Sequence, residues 1–158
     1  MKTIKNIKVN NLDKEIKLIT LSDPKTYNSL STVTLKSLLI VLKKLNKDTT
    51  TKVIVLDADG KGFSAGHNLK ELKSFKKKNQ YKKLFNLCSE VMLEIVEGKK
   101  PVIAKVHGSA FAAGCQLVAS CDLALSTNDA MFATPGVNIG LFCSTPMVAV
   151  SRKVSKKR

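Results

Sequence analysis

Pro101 to Asp122 read PVIAKVHGSAFAAGCQLVASCD, and the fold is legible first in this segment. Val102, Ile103, Ala104 and Val106 form a short, partly β-branched apolar run opened by a proline, the pattern of a covered strand. His107-Gly108-Ser109 then turns the chain. From Ala110 to Ala119 hardly any side chain exceeds leucine in size, and Gly114 interrupts the run. The pattern predicts a helix whose first turn something approaches closely. A helix start with free N–H groups and no bulky side chains suits an oxyanion or a phosphate. Plain close packing of a core helix explains the same composition equally well. A membrane span is disfavoured, because Lys105, His107, Gln116 and Asp122 break a run that would need about 20 apolar residues.

Outward from this segment, strand and helix patterns alternate. Ile4 to Val9 and Glu15 to Leu21 predict a hairpin around Asn10 to Lys14, ended by Ser22-Asp23-Pro24. Ser31 or Thr32 caps a helix with apolar residues at Val33, Leu35, Leu38, Leu39, Leu42 and Leu45 and lysines in its last turn. Val53 to Leu56 predicts a buried strand. The Gly- and Asp-rich loop Asp57 to Asn68 follows it, and a helix resumes at about Leu69. Phe75 to Val96 carries an apolar stripe at helical spacing and stops at Gly98. Beyond Asp122 come a strand at Leu123 to Leu125, a turn at Asn128-Asp129 and a short strand around Phe132. A loop shaped by Pro135-Gly136 and Gly140 leads to a helix over Thr145 to Val154. Such βαβ alternation predicts one α/β domain over residues 1–158 with right-handed crossovers.

A chain of 158 residues with 44% hydrophobic and 25% charged residues has enough apolar surface for one soluble core. The net charge is +15, but only Arg152 and Arg158 are arginines, and there is no Trp. Nucleic-acid surfaces rely on bidentate Arg and stacking aromatics, so no nucleic-acid partner is expected. The lysines read as a solvated surface that would attract a phosphorylated ligand. Cys88, Cys115, Cys121 and Cys143 show no CxxC spacing, which predicts reduced thiols and no metal site. MKTIKNIKVNN lacks an apolar h-region and an Arg/Ser-rich amphipathic stretch. A cytoplasmic location is expected, or the mitochondrial matrix in a eukaryote, with no transit peptide visible.

The chemistry concentrates in two small-residue loops, Phe63 to Asn68 and Gly108 to Gly114, each following a short strand. Parallel neighbouring strands would bring both to one sheet edge, where ligands bind in such folds. FSAGHNLKEL, then PVIAKVHGSAFAAGCQLVASCDLAL, then FATPGVNIGL, in this order, resemble the crotonase (enoyl-CoA hydratase/isomerase) superfamily over roughly Ile16 to Val154. The resemblance implies a crotonase-like ββα spiral core, here lacking most of the C-terminal helical region. Fatty acid and acyl-CoA metabolism is the implied setting. Acyl-CoA is the implied substrate or ligand, with no separate cofactor. A homo-trimer or hexamer is implied only where those C-terminal helices are present.

Carried over by position, the backbone N–H groups of His67 and Ala113 form an oxyanion hole for the thioester. Ser64, Ala65, Gly66, His67, Asn68, Leu69 and Lys70 line the coenzyme A. The resemblance also places two catalytic glutamates at the positions of Gln116 and Gly136. Neither residue transfers a proton near neutral pH, so ordinary hydration is not expected. Asp122 is a substitute carboxylate to examine. Two other readings remain open: a non-catalytic acyl-CoA binder or assembly partner, and a serine esterase using Gly62 to Gly66 as a G-x-S-x-G elbow with His107 as base.

Overall fold

The computed structural model describes residues 2–155; Met1 and residues 156–158, Arg158 among them, lie outside the described residues. Strands β1 (Lys2–Ile4), β2 (Ile7–Asn11) and β3 (Ile16–Leu21) form an antiparallel meander. The expected strand Ile4 to Val9 is therefore split. The chain reverses at Lys5-Asn6, where Ile4 pairs with Ile7 and Asn6 adopts φ 63°. Asn tolerates the left-handed region, so this local turn overrides the apolar alternation.

Helix α1 (Thr32–Lys47) starts at Ser31, whose Oγ accepts from the Thr34 N–H at 3.2 Å. Its Leu35, Leu38 and Leu42 are fully buried, and cutting any of them to alanine would cost about 2–5 kcal/mol. Strand β4 (Val53–Ala58) runs parallel to β3, with Ile16 opposite Val53. It is two residues longer than the apolar run suggests.

The helix expected from about Leu69 is α2 (Leu69–Ser74), and the helix expected over Phe75 to Val96 starts three residues later, as α3 (Lys78–Val96). Phe75 closes α2, and the Gln80 side-chain oxygen accepts the Lys76 and Lys77 N–H groups at 3.0 Å each. The apolar signal at Phe75 is real but serves packing, since its ring meets Tyr81 edge-on with centroids 5.1 Å apart.

Strand β5 (Val102–Val106) pairs parallel with β4, and β7 (Leu123–Ser126) pairs parallel with β5. The main sheet thus has the order β1-β2-β3-β4-β5-β7. Val102, Ala104 and Val106 are buried whereas Ile103 is half-buried and Lys105 exposed, so β5 covers one face only. The helix expected from Ala110 begins three residues later as α4 (Ala113–Ser120). Before it, β6 (Ser109–Phe111) pairs with β8 (Met131–Ala133) in a separate two-stranded parallel sheet. Residues 109–111 stay extended because Ser64 claims their backbone: its N–H donates to Ser109 O at 3.0 Å and its carbonyl accepts from Phe111 N–H at 2.9 Å.

A 3-10 turn over Pro135–Ile139 leads to α5 (Ser144–Ser151), which stops short of the expected Val154. The face built by β7, β8 and this last segment is unusually apolar. Leu123, Leu125, Val137, Ile139 and Phe142 are all at least 60% exposed.

Candidate active site

The two small-residue loops meet. Parallel pairing of β4 with β5 carries Phe63 to Asn68 and Gly108 to Gly114 to the same end of the sheet. An isolated parallel bridge joins Ser64 to Ala110. Gly66, at φ 86°, packs so tightly that a Cβ there would lie 2.9 Å from Phe111 O and 3.1 Å from the Ala113 nitrogen. Gly114 presses equally on Ser64, where an added Cβ would stand 2.8 Å from the serine Cβ. Small residues are required here by backbone contact.

Asn28, at φ 52°, fixes the first loop from behind by donating to Asp59 O at 2.7 Å and to Gly62 O at 3.0 Å. Leu30 holds it from the side, its N–H donating to Gly66 O at 2.8 Å. Sequence reasoning missed both residues. The available signal was Asn28 itself, an Asn soon after Asp23-Pro24 and suited to left-handed backbone.

Ala112, just before α4, adopts φ 48° and ψ −119°, a conformation that its small size alone does not announce. Such backbone in a non-glycine residue costs of order 1–3 kcal/mol. It is imposed from both sides: Ala112 N–H donates to Ala133 O at 2.8 Å, and Ala112 O accepts from Gln116 N–H at 3.0 Å. The consequence falls on the next peptide, whose N–H belongs to Ala113. Among the described residues, neither the His67 N–H nor the Ala113 N–H donates to a backbone or side-chain acceptor.

Both residues line a cleft of about 680 Å³ with Ala65, Leu69, Leu72, Phe85, Phe111 and Gly136. Among the described residues, no Asp, Glu, Lys or Arg lines it. The His67 ring is half-buried; Nδ1 lies 3.3 Å from Leu30 O, and Phe85 meets the ring edge-on at 5.2 Å. Burial lowers the His67 pKa below its usual value, opposed by the Leu30 hydrogen bond and the Glu71 charge. Burial pushes the Cys88 thiol, also on the wall, up to about 12.

The other expected site residues divide. Ala65 and Leu69 face the cleft, and Lys70 is exposed beside it in α2. Asn68 instead caps α2, accepting from the Glu71 N–H at 3.0 Å and donating to Ser29 Oγ at 3.1 Å. Ser64 and Gly66 are buried behind the lining and shape it. The Ser64 hydroxyl donates to Asn28 O at 2.9 Å and accepts from Gly66 N–H at 3.2 Å. His107 Nε2 contacts Gly60 O at 2.8 Å, so the G-x-S-x-G segment lacks the exposed nucleophile and paired base of an esterase.

Gln116 is buried in α4 and accepts from Thr145 Oγ1 at 3.0 Å, outside the cleft lining. Gly136 is on the wall but hemmed in, with Leu141 O and Cys143 Sγ each 2.7 Å from where a Cβ would stand. Asp122 is structural: its Oδ2 accepts from the Val102 N–H at 2.7 Å, and it borders a different depression with Leu123 and Lys153.

A profile of the family described as Enoyl-CoA hydratase/isomerase matches residues 11–158. The chain belongs to this family. Within the enoyl-CoA hydratase/isomerase family, it is 48% identical over 142 residues to Enoyl-CoA hydratase domain-containing protein 3, mitochondrial, of Rattus norvegicus. The match covers 90% of this chain and 47% of that protein. The human protein of the same name is 49% identical over the same share of each. The chain thus spans about half the length of the curated relatives it matches.

Solved structures agree on the crotonase fold. An enoyl-CoA hydratase from Mycobacterium smegmatis superposes with a TM-score of 0.93 at 47% identity, covering 96% of this chain and 59% of that one. Human enoyl Coenzyme A hydratase domain-containing protein 3 gives 0.91 at 47% identity, covering 96% and 60%.

Proposed function

We propose that this chain binds acyl-CoA and holds the thioester carbonyl between the N–H groups of His67 and Ala113. One observation carries the reading: among the described residues, two unclaimed N–H groups stand on backbones in contact, at the wall of an apolar cleft with a charge-free lining. Two donors fixed in advance in such a site stabilise an enolate-like oxygen by about 3 kcal/mol each. Ala65, Leu69 and the exposed Lys70 flank the coenzyme, and the apolar wall takes the acyl chain. Hydration of an enoyl double bond is not part of this function. Gln116 lies off the lining and Gly136 has no side chain, so water lacks the acid and base that contribute about 10²- to 10⁴-fold each.

A second reading, a binder or assembly partner with no turnover, draws on the same two residues. Relatives whose names call them mitochondrial favour the mitochondrial matrix as the setting. Calorimetry with butyryl-CoA tests binding. Affinity should fall with ionic strength, and Lys70→Ala should weaken it by about 1 kcal/mol, the scale of one charged contact. Absent binding, or binding indifferent to both changes, would defeat this assignment. Rapid loss of enoyl absorbance with crotonyl-CoA would refute the exclusion of hydration.

A further inference from the structure

His67 is the one cleft-lining side chain among the described residues that can exchange a proton near neutral pH. Among the described residues the wall carries no Asp, Glu, Lys or Arg, and its other titratable groups there are the thiols of Cys88 and Cys143. The ring is also held as a base must be. Leu30 O can only accept, so Nδ1 carries the proton toward it and Nε2 is left with a lone pair. Among the described residues Nε2 has no hydrogen-bond partner, and it is not among the polar atoms sealed from solvent. Phe85 fixes the ring plane from the opposite element, and Leu30 is itself fully buried and clamped to Gly66.

We propose that, given the thioester reading above, the His67 imidazole is a general base that removes the α-proton of the bound acyl thioester. One residue then supplies two groups, a backbone N–H for the oxygen and Nε2 for the proton. The α C–H bond breaks, Nε2–H forms, and the electron pair moves onto the thioester oxygen between the His67 and Ala113 N–H groups. The imidazolium returns the proton to the same carbon, or, in a 3-enoyl thioester, to the far end of the dienolate, which moves the double bond. Neither outcome consumes water, an oxidant or a second acid. Glu71, the charged group acting on the ring from α2, favours the imidazolium, while burial favours the neutral base.

The test is deuterium exchange into butyryl-CoA in heavy water, followed by mass spectrometry at saturating ligand so that affinity changes do not enter. The 158-residue protein should label C2, with a rate that rises with pH through a single ionisation below 6.5 and then levels. His67→Gln should exchange at least about 100-fold more slowly. Full exchange in His67→Gln, or a wild-type rate without that ionisation, overturns the role of His67. Calorimetry separates the remaining outcomes: butyryl-CoA that binds but never exchanges overturns the base alone, and butyryl-CoA that does not bind overturns the thioester reading with it.

Discussion

Gly66 and Ala113 touch backbone to backbone: a single methyl added at Gly66 would sit 3.1 Å from the Ala113 nitrogen. This contact sets the spacing of the two proposed oxyanion donors, because Gly66 immediately precedes His67. Gly66→Ala combines left-handed strain at φ 86° with a collision, and should destabilise the fold by about 2–4 kcal/mol. Urea unfolding measures it. A loss under 0.5 kcal/mol would mean that the two loops are not held by this contact.

Ala112 stores strain one residue ahead of the second donor. Ala112→Gly should raise stability by about 1 kcal/mol, the relief of φ 48° less the added chain entropy of glycine. Ala112→Val should lower it by more than that, since β-branching is least tolerated there. Thermal melts of the two variants give the answer; equal melting temperatures would remove strain from the account.

Much of this was legible in sequence because it rests on local signals. Small residues at Ala65, Gly66, Ala112 and Gly114 marked the backbone contacts, and the β4 and β5 runs placed both loops at one edge. What was not legible depends on long-range partners. The strand Ser109–Phe111 exists because Ser64, far away in the chain, accepts and donates its hydrogen bonds. The left-handed backbone at Asn28 likewise depends on carbonyls of a later loop, those of Asp59 and Gly62. No periodicity records such partners.

Carboxylates placed at positions 116 and 136 would meet different surroundings. Gln116→Glu keeps an oxygen to accept from Thr145 but buries a carboxyl, and should melt below the parent. Gly136→Glu must push against Leu141 O and Cys143 Sγ, each 2.7 Å from the new Cβ, and should lose about 1–3 kcal/mol through overpacking. Both variants should therefore be melted before any hydratase assay. A Gly136→Glu protein as stable as the parent would show that residues 141–143 yield freely.

Burial of the His67 ring predicts a pH dependence with a definite sign. Its pKa is lower in the folded chain than the ordinary 6.5 of the unfolded one, so below 6.5 the unfolded chain binds more protons. This contribution to stability is complete above 6.5 and is lost as pH falls from 6.5 through the folded value. His67→Phe should flatten the profile in that window. Parallel profiles for parent and variant would show that the imidazole titrates as it would in water.

The oxyanion assignment itself is tested most directly by the infrared carbonyl band of a thioester-labelled butyryl-CoA bound to the protein. Two N–H donors in a dry cleft must weaken the C=O bond, so the band should shift to lower frequency on binding, and less far in Gly66→Ala. A bound thioester whose carbonyl absorbs where it does in water would contradict the placement of that oxygen between His67 and Ala113.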